Sequence, residues 1–243
     1  MKKLLIFALM IISLQTSLAQ EGEDVGWVAR FGAAGGFSPT LVFPNVDAIN
    51  LQIKNMGLEN LSSKGMIVYG GGGYAYIMLV DNLRIGGMGL SGTQTSSGFN
   101  NGFNKEVKYN YGLGGVTAEY TLPFIKNIAV SVGAIIGVGS SSIEIFQNQN
   151  NFTWDGIWND VNNKATPNIY KKITNTFFTI TPTLNVDVPL SRFIAFRIGG
   201  GFITSVANSW KVDNEQDIGS IPSNLGSSSF FIQTGIYVGL IAF

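Results

Sequence analysis

The chain has 243 residues, 15 basic and 15 acidic, with a formal net charge of zero, so it lacks the basic face that binding a nucleic acid requires. Charged residues make up 12%, about half of the roughly 25% usual in soluble domains, and glycine supplies 31 residues, well above the usual share of about 7%; a water-facing surface would carry more charge. There is no cysteine and no histidine, which excludes disulfides, the common zinc and haem ligand sets, and the side chain that exchanges protons near neutral pH.

At the start of the chain, Lys2 and Lys3 precede an apolar run over residues 4–14, followed by Ser17, Leu18 and Ala19. A charged start, a short apolar core and small residues at its end describe a secretory signal peptide cleaved after Ala19. Residues 1–19 are therefore set apart, and residues 20–243 are expected to form one domain. No cysteine follows the run, so lipoprotein-type lipid attachment is impossible. The run is shorter than the roughly 20 residues of a membrane helix, and no later apolar stretch reaches about 18. A bilayer can then be crossed only by strands closed into a barrel, because every backbone N–H and C=O must be paired inside hydrocarbon.

Period-two alternation, the mark of strands, recurs from residue 27 onward. Residues 27–37 set Trp27, Ala29, Phe31 and Ala33 against Val28, Arg30 and Gly32. A long polar connection over 38–64 follows, with a short helix expected at 46–56: Asp47 is its candidate cap, Ile49, Ile53 and Met56 repeat at helical spacing, and Gly57 is the stop. Strands are expected at 66–80 and 83–96 around a tight turn at Asp81-Asn82, then a long loop over 97–106. In 107–123 the phase slips, since Val107, Tyr109, Tyr111 and Leu113 share one face and Val116, Ala118, Tyr120 and Leu122 the other. Gly114-Gly115 is the expected place for a bulge.

After a tight connection at 124–127, residues 128–139 alternate Ile128, Val130, Val132, Ala134, Ile136 and Val138 with small residues. A long loop over 147–172 leads to the strongest strand signal, 173–189, where Phe178, Ile180, Pro182, Leu184, Val186 and Val188 alternate with Thr179, Thr181, Thr183, Asn185 and Asp187. A tight turn at 190–192, a strand at 194–207, a long connection at 208–228 and a final strand at 229–243 complete the chain. About eight strands joined by alternating short and long connections imply an all-β fold: an antiparallel up-and-down transmembrane β-barrel, apolar faces outward, with a short helix in the first long loop and both termini on the periplasmic side.

The last residue is Phe243, and the segment Gln233-Thr234-Gly235-Ile236-Tyr237-Val238-Gly239-Leu240 follows a polar-x-Gly-x-x-apolar-x-apolar pattern ending three residues before the terminus. In these features the chain resembles the small bacterial outer-membrane barrels of the OmpA and OmpX kind, in architecture rather than in a family-specific motif. The resemblance implies export through the signal peptide, residence in the cell outer membrane among its lipids, and the barrel-assembly machinery as partner during insertion.

Outer-membrane barrel hydrolases and acyltransferases resemble one another in using a histidine base, and with none available no enzymatic activity, catalytic residue, metal or cofactor is expected. Gly87-x-Gly89-x-x-Gly92 matches a dinucleotide fingerprint in letters, but residues 93–98 give no helix to aim at a pyrophosphate, and the glycines at 70–73 and 199–201 suit tight strand coiling. Arg30, Arg84, Glu119, Asp187 and Arg197 are expected to face inward near the periplasmic ends of their strands. They form a candidate lumen charge network, with Arg84 beside Glu119 and Asp187 beside Arg197. A structural plug is expected rather than a gated path, because eight strands leave an interior just filled by side chains.

Trp27, Tyr69, Tyr74, Tyr76, Tyr109, Tyr111, Tyr120 and Tyr237 read as girdles at the membrane interface. Trp154 and Trp158, beside Asp155 and Asp160, are candidate loop contacts for a sugar or surface ligand, against a loop packed on itself. Asp213, Glu215 and Asp217 lack the spacing of an EF-hand. The functional expectation is a non-enzymatic outer-membrane barrel with a structural or surface-interaction role through its extracellular loops. The alternatives are a transporter or narrow channel for a small or apolar solute, and a subunit of a larger envelope or secretion assembly with an unidentified extracellular or envelope protein partner.

Overall fold

The computed structural model describes residues 32–77, 79–125, 127–149, 152–157, 168–223, 225 and 228–241. The expected signal peptide, Trp27, Arg30, Trp158 and Phe243 lie outside the described residues. In chain order the elements are β1 (Gly32–Phe37), β2 (Thr40–Phe43), α1 (Asp47–Asn55), β3 (Met66–Tyr76), β4 (Leu83–Asn100), β5 (Phe103–Thr121), β6 (Ala129–Asn148), β7 (Ile169–Pro189), β8 (Ile194–Val212), β9 (Gln216–Asp217) and β10 (Ser229–Ile241).

Every pairing is antiparallel and sequence neighbours are sheet neighbours from β3 to β8. β10 pairs on one side with β8 and on the other with both β1 and β2, which in turn pair with β3. β1 and β2 are thus one barrel strand interrupted at Ser38-Pro39, where the proline has no N–H to give. The break is bridged: the Ser38 N–H donates to the Gly70 carbonyl at 2.8 Å and the Thr234 N–H to the Pro39 carbonyl at 3.1 Å. Among the described residues the result is a closed ring of eight antiparallel strands with no sheet edge at the level of the ring.

β4 to β8 are longer than their sequence patterns indicate. β4 runs to Asn100 and β5 starts at Phe103, so the long loop expected over 97–106 is instead a hairpin through Asn101 and Gly102, whose φ of 54° and 80° suit a two-residue turn. Polar outward residues hid these extensions from a search for apolar alternation. With 18 to 21 residues, β4, β5, β6, β7 and β8 are about twice the length needed to span a bilayer, roughly 9–11 residues. β3 has 11 residues and β10 has 13. The long-loop mouth is therefore slanted, with a tall wall built by β4 to β8 and a low side at β10, β1/β2 and β3.

No bulge exists at Gly114-Gly115: β5 pairs without interruption with β4 and with β6 through both glycines. Val107, Tyr109, Tyr111, Leu113, Thr117 and Glu119 all point inward and are buried, while Val116 and Tyr120 are exposed outside. What changes along β5 is the chemistry of the inner face, not its phase. The irregularity lies elsewhere, between Thr176 and Phe178 in the pairing of β7 with β8.

α1 follows β2 and ends against the tip of the β4–β5 hairpin, where Asn100 donates to the Met56 carbonyl at 3.0 Å. Val46 holds the cap position without a side-chain bond, and Asp47 sits inside the first turn, its N–H donating to Asn45 Oδ1 at 3.1 Å, so Asn45 takes the role expected of Asp47. Gly57 follows the helix with φ of 76°, the left-handed conformation in which a side chain is strained. Asn50 pins the returning chain by a pair of bonds, its amide donating to the Leu61 carbonyl at 3.1 Å and its oxygen accepting from the Leu61 N–H at 2.8 Å. Ile49 and Ile53 turn into the barrel and join a buried apolar cluster with Val42, Leu61, Met66 and Val68. Truncating Ile53 to alanine should cost about 2–5 kcal/mol, as for other buried large-to-small changes. Limited proteolysis of the refolded I53A protein should then cut within residues 44–65 while the closed barrel stays resistant.

Candidate functional site

The floor of the lumen is built by the short-turn ends of β3, β4, β5, β7, β8 and β10. Strand register sets Arg84 opposite Glu119 and Asp187 opposite Arg197. All four are inward and at most 4% exposed. Arg84 donates Nε to Glu119 Oε2 at 2.6 Å and reaches across the lumen with Nη1 to Asp187 Oδ2, also at 2.6 Å. Arg197 grips Asp187 with two bonds, Nε to Oδ1 at 2.6 Å and Nη2 to Oδ2 at 2.9 Å, and places Nη1 3.4 Å from Glu119 Oε1. Two cations and two anions thus form one neutral quartet, each charge touching two of the opposite sign.

Side chains at the same level complete the floor, and sequence reasoning missed them. Asn185 donates to Glu119 Oε1 at 3.0 Å, and Gln233 donates to Asn185 Oδ1 at 2.8 Å. The guanidinium carbon of Arg84 lies 4.3 Å from the Tyr74 ring centre, and that of Arg197 lies 4.9 Å from Tyr74 and 4.5 Å from Tyr237. These rings face cations across a dry interior, where such contacts strengthen. The usable signal was parity, since each of these residues alternates in step with a charged one on its own strand or its neighbour.

The same parity corrects the aromatic assignment. Tyr74, Tyr109, Tyr111 and Tyr237 are buried in the lumen rather than at the membrane interface, and half-buried Tyr76 bonds to Thr121 at 3.1 Å. Tyr69 and Tyr120 do face outward. Phe37 stacks on Tyr69 at 6.2 Å between centroids, and Phe124, Phe193 and Phe196 are exposed near the short turns.

Above the floor the lumen turns apolar. Thr179 and Thr181 bond to each other at 2.9 Å, and over them Leu90, Leu113, Ile135, Phe177, Ile203 and Phe231 pack beneath α1. Gly139 faces Phe177 so closely that a methyl group there would strike the ring. At the floor, the cavity bounded by Tyr74, Glu119, Asn185, Arg197, Gln233 and Tyr237 has about 10 Å³, the space of a single water molecule.

Trp154 stands exposed on a helical turn at 154–157, and its intended partner Trp158 is outside the described residues. Asp213 bonds Lys171 at 2.5 Å and accepts the Lys172 N–H at 3.1 Å, and Asp217 bonds Lys211 at 2.5 Å. The bond from Lys171 and then that from the Lys172 amide hold the Asp213 carboxyl below its ordinary value. Among the described residues no group of three or more acidic side chains is fit to hold a metal. Gly87, Gly89 and Gly92 lie within β4, where no helix follows to make a nucleotide site.

A closed eight-stranded ring with tight turns at one end, long strands at the other and a filled polar floor defines a small β-barrel of the outer-membrane type. No family model matches the chain, and no curated protein matches it. Among solved structures it is similar to Ail, the attachment invasion locus protein of Yersinia pestis, in a complex with the heparin analogue sucrose octasulfate: 8% identity, 87% of this chain and 99% of that one, TM-score 0.44. It is also similar to a major outer membrane protein from Thermus thermophilus, at 7% identity over 86% and 98% of the two chains and a TM-score of 0.45. Neisserial surface protein A aligns at 10% identity over 90% and 99%, with a TM-score of 0.36. At these values the barrel's own strand pairing carries the assignment.

Removing one member of the quartet leaves a buried charge without its partner, a loss of about 3–5 kcal/mol for buried pairs in general. Glu119→Ala should therefore lower the urea midpoint of the refolded barrel strongly. The paired change R84M/E119L, which leaves the neutral Asp187–Arg197 pair, should cost less than the sum of R84M and E119L; additive losses would show that the four charges do not act as a unit.

Proposed function

We propose that residues 1–19 direct export and that residues 20–243 form a non-enzymatic outer-membrane barrel that does not conduct and that presents its tall wall and capped mouth to the exterior. Support for residence in a membrane comes from the outer surface. On β6 the outward Val132, Ile136 and Val138, and on β7 the outward Phe178, Ile180 and Leu184, are between 42% and 60% exposed, a density of bare apolar side chains that water does not tolerate. This belt occupies about ten residues of each strand, the length needed to cross a bilayer with strands, roughly 9–11 residues. The single observation behind the non-conducting role is the filled lumen, sealed by the charge quartet below and by the apolar cluster under α1 above. The absence of histidine from the whole chain supports a non-enzymatic role.

A second reading draws on the same apolar cluster. If α1 swings away, the vacated space beneath it is lined by Val68, Leu90, Leu113, Ile135 and Phe231, a route suited to an apolar solute. Planar-bilayer recording separates the two. The wild-type barrel should be silent at all holding potentials. Steady ohmic channels from it would overturn the sealed-barrel reading, and conductance found only after deletion of residues 45–60 would favour the helix as a lid.

A further inference from the structure

The outward face of β4, β5 and β6 changes character above the apolar belt. Register places Ser91, Gly112 and Ser140 in one cross-strand row, then Thr93, Asn110 and Ser142, then Thr95, Lys108, Glu144 and, on β7, Lys172. Along tilted strands successive rows rise by about 5 Å, so the first two stand within the headgroup layer of a bilayer rather than in hydrocarbon or bulk water. The second row is an organised hydrogen-bond chain. Thr93 Oγ1 donates to Asn110 Oδ1 at 2.7 Å, and Asn110 Nδ2 donates to Ser142 Oγ at 3.0 Å and to Glu144 Oε1 at 3.3 Å. A shallow recess of about 230 Å³ opens there, lined by Ser91, Thr93, Asn110, Gly112, Ser140 and Ser142.

Directly below the recess the belt loses its side chains. Outward Gly89 lies opposite Gly114, Gly87 opposite Gly73, and Gly73 opposite Gly35. Many inward glycines are forced by crowding: at Gly70, Gly86 and Gly137 an added methyl group would strike a carbonyl of the neighbouring strand. Outward Gly71 and Gly73 are crowded too, by carbonyls at 2.5 and 3.0 Å, but at Gly35, Gly87, Gly89 and Gly114 an added methyl group would meet nothing closer than 3.6, 3.4, 4.0 and 3.7 Å. The fold does not require glycine at these four, and glycine weakens a strand unless something approaches its backbone.

We propose that this recess and the trough beneath it bind one outer-leaflet glycolipid, its hydroxylated saccharide headgroup on the Thr93–Asn110–Ser142 chain and an acyl chain against the bare backbone of β4 and β5. The assignment rests on the outer-membrane reading above. Hydroxyl and amide groups that both donate and accept match sugar hydroxyls, and Lys108 and Lys172 border the recess where headgroup phosphates would stand. Lys108 already pairs with Glu106 at 2.7 Å and Lys172 with Glu144 at 3.4 Å, so both ammonium groups have carboxylate partners and the selectivity comes from hydroxyl recognition.

The test uses purified lipid A as the probe. The mature chain is refolded into vesicles of phosphatidylethanolamine with and without an equal share of lipid A, extracted in mild detergent and weighed intact by native mass spectrometry. Wild type should retain one lipid A at least tenfold in preference to phosphatidylethanolamine. T93V/N110A should lose that preference, and G89L/G114L should reduce it while retaining the heat-resistant folded band. T93V alone, which keeps the shape of the side chain, replaces the double variant should that one misfold. Equal retention of the two lipids by wild type, or unchanged preference in every folded variant, overturns the proposal. Failure of wild type to insert into either vesicle would instead overturn the outer-membrane reading.

Discussion

Everything in this molecule follows from the closure of its backbone hydrogen bonds into a ring. Inside hydrocarbon an unpaired N–H or C=O costs several kcal/mol, so an open sheet edge at that level is not an option. The pairing of β10 with β8 on one side and with β1 and β2 on the other removes both edges. Eight strands then fix the diameter, and an eight-stranded interior is just wide enough for side chains to fill. Function is constrained before any particular residue is considered: such a barrel is filled, and what fills it decides whether it is rigid, gated or leaky.

The filling is divided into two levels with different physics. At the floor, four charges are withdrawn from water, and their mutual attraction only roughly offsets that withdrawal. The quartet is therefore not a reservoir of stability. Its effect is on register: a one-residue slip of β4 against β5 would turn Arg84 or Glu119 toward lipid, where neither has a partner. Above the floor the lumen is held by ordinary apolar packing, to which α1 contributes Ile49 and Ile53 as if it were a ninth wall element. Bonds from wall side chains also fasten the connection that follows the helix: Gln94 Oε1 accepts the Ser62 N–H at 2.9 Å, Ser96 bonds to the Glu59 carbonyl, and Asn100 donates to the Met56 carbonyl at 3.0 Å.

Much of the ring was legible in the sequence. β7 announced itself by strict alternation from Phe178 to Val188, the tight turns were marked by their brevity, and the four described floor charges were visible as rare ionic residues in step with an inward face. Asn185, Gln233, Tyr74 and Tyr237 were not recognised with them, because amides and tyrosines are common enough in barrels to pass for lumen filler or interface belts. The ends of β4, β5, β6, β7 and β8 were hidden for a different reason. Serines, threonines and lysines on the outer face of a strand above the membrane look like loop residues when an apolar outer face is taken as the signature of a strand.

That last failure has a single physical source, which also explains the apparent slip in β5. Within lipid the outward face is apolar and the inward face accepts polar groups. Once the wall leaves the bilayer the outer face meets water, and on β5 and β6 the inner face, with Val107, Tyr109, Tyr111 and Ile143, packs on the apolar cluster below the cap. On β5 the inner face is apolar from Leu113 to Val107 while the outer face is polar from Asn110 on, so a strand of unbroken phase reads as two strands out of phase. The crossover can be located on three strands, where Ser91 on β4, Ser140 on β6 and Thr176 on β7 are the first polar outward residues, and Gly112 on β5 lies between the last apolar outward residue and the first polar one. These four residues are consecutive register partners, Ser91 with Gly112, Gly112 with Ser140 and Ser140 with Thr176. Three crossovers identified strand by strand thus fall on one hydrogen-bonded row, which Gly112 completes, as they must if that row is where the membrane ends.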